Sequence, residues 1–156
     1  MGTTKGYAAL KAGATLEPFT FDRRPVGSND VLIQIVYCGV CHSDIHQVRD
    51  EWGGSMFPMV PGHEIVGTVE EIGAEVSNLR LGQRVGVGWL GGVCGVCRYC
   101  LTGEENLCDD PVFTGWTRPG GLAEQAVADA QFCFELPEVH GDAEAAPLMC
   151  AGLIGY

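Results

Sequence analysis

Four cysteines within fifteen positions constrain this chain more than any other feature. Cys94, Cys97, Cys100 and Cys108 lie in the run G-V-C-G-V-C-R-Y-C-L-T-G-E-E-N-L-C, at intervals of three, three and eight. On a tight, glycine-containing loop these side chains can converge on one point, and tetrahedral zinc takes four thiolates at about 2.3 Å each. Two disulfides are the competing reading. Adjacent C-x-x-C pairs bridge awkwardly, however, and no export signal precedes them, so the spacing predicts a closed structural zinc site. Such a site holds a fold together and does no chemistry, so reactive groups must be sought elsewhere.

A length of 156 residues suits one domain with a real core, and 23 glycines with 8 prolines favour a turn-rich, β-dominated fold over a helical bundle. Twenty acidic against nine basic residues give a net charge of −11. That balance argues against nucleic acid and against an anionic membrane surface as partners, since both need clustered Lys and Arg. The opening M-G-T-T-K-G-Y-A-A-L-K contains no long apolar run, so neither a signal peptide nor a membrane span is expected. Eight cysteines without an export signal fit a cytoplasmic protein, where thiols ligate metals or catalyse rather than cross-link.

Alternating apolar residues predict strands over 6–11, 16–22 and 30–37, with the turn Gly27-Ser28-Asn29-Asp30 before the third and Cys38–Cys41 closing it. His42 to about Trp52 reads as a helix with Ile45, Val48 and Trp52 on one face. Further strands are expected from His63-Glu64 to Ile72, over 84–88, 122–129 and 132–136, and a final helix capped by Asp142 runs to Tyr156. Many short strands and few helices suggest a mainly β fold, a small distorted barrel.

Outside the cysteine loop stand Cys38, Cys41, Cys133 and Cys150, with histidines in C-H-S-D-I-H (41–46) and P-G-H-E (61–64). A catalytic zinc needs three protein ligands and an open position. Cys41 at a strand end, His63 after a Pro-Gly turn and Cys150 near a helix start could meet in a fold. Cys38 and Cys133 read as buried small hydrophobes, and His140 as exposed. Gly86, Gly88 and Gly91 spell G-x-G-x-x-G after a strand, but Gly92-Val93-Cys94 follows where a dinucleotide site needs a helix. His63-Glu64 begins H-E-x-x-H, yet position 67 is Gly, so the metalloprotease motif fails.

C-G-V-C-H-S-D, V-P-G-H-E-I-V-G-T-V, G-x-R-V-G-V and C-G-V-C-R-Y-C together resemble the zinc-dependent medium-chain alcohol dehydrogenases. The first half is similar to the cinnamyl-alcohol-dehydrogenase branch, and the stretch from G-W-L-G-G through F-T-G-W to other bacterial zinc alcohol dehydrogenases. The resemblance implies the GroES-like barrel of the catalytic domain and two zincs per chain. It makes Cys41, His63 and Cys150 catalytic zinc ligands, Glu64 an alternate fourth ligand, and Cys94, Cys97, Cys100 and Cys108 the structural set. Zinc as a Lewis acid makes an alcohol proton acidic; Ser43 would accept that proton and His46 pass it to solvent. His42 matches a position facing the cofactor pyrophosphate. Asp44 matches a carboxylate that orients the ligand histidine. Trp52 and Trp89 match pocket-lining aromatics, consistent with an aryl or medium-length apolar alcohol or aldehyde.

The same residues also suit plainer roles: Ser43 and Asp44 as helix N-caps, Asp44 with Gln47 as a capping box, His46 on a helix surface, both tryptophans in the core, and Glu64 in an ion pair. In the family a nucleotide-binding Rossmann domain follows the second catalytic cysteine, whereas here Tyr156 is six residues past Cys150. The expectation is a catalytic-domain portion, needing NAD or NADP held by another domain for hydride transfer and showing little or no dehydrogenase activity alone. A zinc module without turnover and a zinc hydrolase are the other readings. Missing strands would leave edges that invite self-association.

Overall fold

The computed structural model describes residues 2–155. Its strands are β1 (Thr3–Ala8), β2 (Glu17–Asp22), β3 (Asp30–Gly39), β4 (Glu64–Ile72), β5 (Arg84–Val87), β6 (Leu90–Gly92), β7 (Val112–Phe113), β8 (Gln125–Asp129) and β9 (Cys133–Glu135). Four short helices accompany them: α1 (His42–Val48), α2 (Arg98–Thr102), α3 (Asp142–Ala145) and α4 (Ala151–Ile154). A five-stranded sheet in the order β8-β3-β4-β5-β9 curls into a half-barrel, flanked by the pairs β1-β2 and β6-β7. Every pairing between these strands is antiparallel. No described helix is long and apolar enough to cross a membrane.

Alternation places Val31 and Ile33 of β3 inward, against Ile65 and Val69 of β4, Val85 and Val87 of β5, and Ala126 and Ala128 of β8. Register shifts between Leu32 and Ile33 and between Ile35 and Tyr37 bend β3, as bulges do. The core therefore lies under the sheet, and the cysteine-rich segments hang from the strand ends.

Local elements depart from the sequence expectation where tertiary contacts take over. β1 starts at Thr3 because its ladder pairs Thr3 with Asp22 and Ala8 with Glu17; residues 9–11 then leave, and Ala9 bonds Met59 instead. β8 begins at Gln125 because Leu122 and Glu124 bond Tyr7 and Lys5 of β1. The helix expected over 42–52 ends at Val48, and its buried face carries Asp44 and Gln47; Trp52 is 51% exposed and Ile45 39%. Cys41, not Ser43 or Asp44, precedes the first turn, and the Asp44 carboxylate accepts the Cys41 N–H at 2.9 Å. That bond replaces the Asp44–Gln47 capping box.

The long final helix is broken into α3, a 3-10 turn over Ala146–Met149, and α4, with Pro147 in the turn and Cys150 at φ −141°, ψ −89° between. Gly141 sits at the N-cap in place of Asp142, and Glu144 accepts its N–H. Tyr156 lies outside the described residues. The β6-β7 pair and α2 had no counterpart in the sequence reading.

Candidate metal centres

The cysteine loop gathers on α2. Cys97 precedes its first turn, Cys100 lies within it, Gly103 ends it at φ 79°, and a 3-10 turn delivers Cys108. The four Sγ atoms lie within 4.8 Å of one another, with Cys94–Cys100 at 3.9 Å and Cys97–Cys100 at 3.5 Å. Two thiolates about 2.3 Å from one tetrahedral zinc stand ~3.8 Å apart, whereas a disulfide requires ~2.05 Å. All eight cysteines are free thiols. Backbone N–H groups of Cys94, Cys97 and Asp110 donate to Sγ atoms of the cluster, the orientation that thiolates favour. The N–H groups of Asp109 and Cys100 pull the Cys97 thiol down to about 6. Burial and the neighbouring thiols push Cys100 up to about 12. The donor set and its spacing fit zinc.

A second cluster joins Cys41, His63 and Cys150, whose ligand atoms also lie within 4.8 Å of one another. The Cys41 and Cys150 Sγ atoms are 3.8 Å apart, again the tetrahedral separation. His63 is fully buried; its Nδ1 donates to Asp44 Oδ1 at 3.2 Å, and its Nε2 has no hydrogen-bond partner. A buried ring nitrogen left bare beside two thiols is the arrangement a metal would complete. Asp44 also accepts the N–H groups of Cys41 and Gly62, both at 2.9 Å, so one buried carboxylate fixes the loops carrying two of the three donors.

Charge is balanced around these donors. Burial would raise the Cys41 thiol, but the neighbouring Ser43 N–H and hydroxyl, the His63 ring and the Cys150 thiol outweigh it, and the thiol sits below its ordinary range. Burial and the nearby Cys41 push Cys150 up to about 12. Burial opposes protonation of His63, yet Asp44 and Cys41 together raise it. Glu64 stands outside the cluster: it is buried at the start of β4 near the Ala151 N–H, and burial lifts its carboxyl above the usual range.

The remaining sequence candidates line one side of this centre. The His63 ring meets Trp89 edge-on at 4.9 Å, Trp89 stacks on Trp116 at 5.9 Å, and Trp116 meets Trp52 at 6.2 Å. Trp52 stacks on His46 at 5.1 Å, and His46 meets the exposed His42 at 4.7 Å. Neither Trp52 nor Trp89 is a core residue; the first is exposed and the second half-buried. His46 Nδ1 pairs with Glu51 Oε2. Sequence reasoning missed Glu51, Phe113 and Trp116. Phe113 and Trp116 stack at 5.5 Å and extend the aromatic wall; the F-T-G-W stretch held the signal for both. Cys38 and Cys133 are buried or half-buried thiols pushed up to about 12 by burial, as expected of packing residues. His140 is half-buried, its carbonyl held by Arg84.

The model of the alcohol dehydrogenase GroES-like domain matches residues 27–138. The chain belongs to this family. A probable mannitol dehydrogenase from Fragaria ananassa is 44% identical over 97% of the chain. The solved cinnamyl alcohol dehydrogenase of Sorghum bicolor superposes with a TM-score of 0.92 at 40% identity over 97% of the chain. The CAD of Helicobacter pylori, solved with NADP(H), gives 0.90 at 36% identity over 96%. The resemblance to zinc-dependent alcohol dehydrogenases and their mainly β catalytic domain thus holds. The chain spans 44% of the strawberry relative and 46% of each of these two structures.

Proposed function

We propose that this chain is the zinc-carrying catalytic domain of an NAD(P)-dependent alcohol dehydrogenase that interconverts small alcohols and aldehydes. The supporting observation is the pair of thiols 3.8 Å apart facing a buried, unpartnered imidazole nitrogen. Cys41, His63 and Cys150 would hold one zinc, and Cys94, Cys97, Cys100 and Cys108 a second, two per chain. Zinc in the first site supplies Lewis-acid polarisation of the substrate oxygen.

The chain's own residues do the rest. Asp44 fixes the His63 tautomer, so that the bare Nε2 offers its lone pair. The Ser43 hydroxyl, beside Cys41, accepts the substrate hydroxyl proton, and His46, held by Glu51 at Nδ1, carries it to solvent from its other nitrogen. The aromatic wall of Trp89, Trp116 and Trp52 shields the centre from water and suits an aryl or medium-length apolar substrate. Glu64, close behind in β4 and outside the donor cluster, is the alternate ligand only if its carboxylate moves toward Cys41 and His63.

Hydride transfer requires a nicotinamide held outside the described residues, with His42 facing its pyrophosphate. The described strands pair only antiparallel, and Gly86, Gly88 and Gly91 lie on β5, the turn after it and β6 rather than before a helix. The chain alone is therefore expected to reduce NADP negligibly when an aryl alcohol is added. Robust turnover by the pure 156-residue protein would overturn this. Chelator-sensitive ester hydrolysis without NADP reduction would favour the hydrolase reading instead. Eight unbridged thiols support a reducing, cytoplasmic setting.

Self-association belongs to the same proposal. Beyond Ile35, whose N–H bonds the Glu124 carbonyl, β3 pairs with no described strand on its β8 side, and Tyr7, Val36 and Tyr37 are exposed there around a groove of about 560 Å³. A second copy would pair with this edge, and Val36→Lys would block it. Sedimentation is expected to show dimers that the variant loses; a clean wild-type monomer at high concentration would contradict it.

A further inference from the structure

Cys150 is the metal donor that arrives from farthest along the chain, and it has no strand of its own to hold it. The segment that carries it, residues 137–150, lies against one face of the sheet, α3 meeting β3 and the 3-10 turn meeting β4, β3 and β5. In the run R-V-G-V-G, Arg84 and Gly86 share that face by strand alternation and Gly88 continues it in the turn after β5, while Val85 and Val87 fill the core on the other. These are two of the glycines that mimic a dinucleotide fingerprint, and the structure gives them a different task.

Arg84 spends its whole guanidinium on the segment. Its Nε donates to Asp142 Oδ1 at 2.8 Å, one terminal nitrogen to the Pro137 carbonyl at 3.0 Å, and the other to the His140 carbonyl at 2.9 Å. A planar fork with three acceptors on one loop fixes both its position and its tilt. Two residues on, Gly86 admits Met149, whose Sδ would lie 2.3 Å from any Cβ placed there. At Gly88 a Cβ would stand 2.7 Å from the Met149 carbonyl oxygen, the peptide that leads into Cys150. Ala145 and Ala146 are fully buried against Val66 and Leu136 and close the seat from above.

We infer that the Arg84-Gly86-Gly88 face of β5 is a seat that presents Cys150 to its metal, with Arg84 as the positioning residue. The inference rests on the proposed zinc at Cys41, His63 and Cys150. Partners bonded directly to a metal ligand are worth about 10–100-fold in metal affinity, and Arg84, which acts through the backbone leading to Cys150, is expected to reach only the lower end of that range. The cysteine loop makes no contact with this seat through Arg84, so its own affinity is expected to stay unchanged.

The test is a zinc competition titration on the full chain with a chromophoric chelator, resolving the two sites, for wild type, Arg84→Ala, Arg84→Lys, Gly86→Val and Cys150→Ser. Arg84→Ala and Gly86→Val are expected to weaken one site by about 10-fold and leave the other at the wild-type value. Arg84→Lys should recover part of the loss, since one ammonium can reach only some of the three acceptors. With cobalt in place of zinc, the thiolate charge-transfer band of the weakened site should fall with it. Equal weakening of both sites would mean general destabilisation, and unchanged affinity would mean no positioning role; either overturns the inference. If the wild type shows no second site that Cys150→Ser abolishes, the zinc reading itself fails, and the inference with it.

Discussion

Asp44 concentrates the most structure in one side chain: a buried carboxylate accepting N–H groups from Cys41, Gly62 and His63. Asp44→Ala would strand three donors, each costing about 1–3 kcal/mol when buried and unpaired. Part would relax, so a loss of ~3 kcal/mol is expected in urea denaturation, with weaker metal binding at Cys41, His63 and Cys150. A stability change under 1 kcal/mol would show that the bonds are replaceable. Asp30 gives a pH signature. Its bidentate pairing with Arg24, against a smaller burial penalty, holds its carboxyl below the usual range. A depressed folded pKa means stability that is complete above the usual aspartate value of ~3.9 and lost as pH falls through the folded value. Below pH ~4 the wild type should therefore lose stability more steeply than Asp30→Asn; parallel acid curves would contradict this. At this scale the sequence was uneven as a guide. Asp44 was visible only through family resemblance, because nothing local shows that a helix residue reaches a turn eighteen positions away. Glu51 was invisible because it pairs with His46 across the unexpected end of α1.

Strands were legible because alternation is a local signal, and β3, β4 and β5 fall within two residues of their expected bounds. Helices were not. The apolar i, i+3, i+7 pattern of Ile45, Val48 and Trp52 suggested a buried face, but α1 buries Asp44 and Gln47 because its task is to fix a polar centre. The last segment read as one helix from composition, yet Pro147 and the turn at Cys150 divide it so that a thiol can face inward. Between β3 and β4 the close approach is set by Gly67, where a Cβ would stand 2.4 Å from the Gln34 carbonyl oxygen and 2.5 Å from Ile33. Gly67→Ala should cost roughly 1–3 kcal/mol by overpacking, read as a lower urea midpoint at constant slope. An unchanged midpoint would mean that the strands separate freely there.

Across the molecule, the sheet buries a main apolar core and a smaller cluster of Val66, Leu136, Ala145 and Ala146, while both donor clusters sit on irregular segments that these alone do not order. Metal removal should therefore loosen the loops before the sheet. With chelator, native thiol mapping should find Cys97, held down to about 6, newly reactive, while Cys38 and Cys133, pushed up to about 12 by burial, stay protected. Simultaneous reaction of all eight would mean that the barrel unfolds with the metal. The cysteine loop was legible from spacing alone because its four donors fall within fifteen positions. The second centre was not, since 109 residues separate Cys41 from Cys150 and only the folded sheet brings them together.

The most direct measurement is zinc per chain by elemental analysis, on wild type, Cys41→Ser and Cys97→Ser purified without added metal. Two zincs in the wild type are expected, falling to one in Cys41→Ser, with Cys97→Ser losing the zinc of the cysteine loop. One zinc in the wild type, unchanged by Cys41→Ser, would contradict a catalytic metal centre at Cys41, His63 and Cys150.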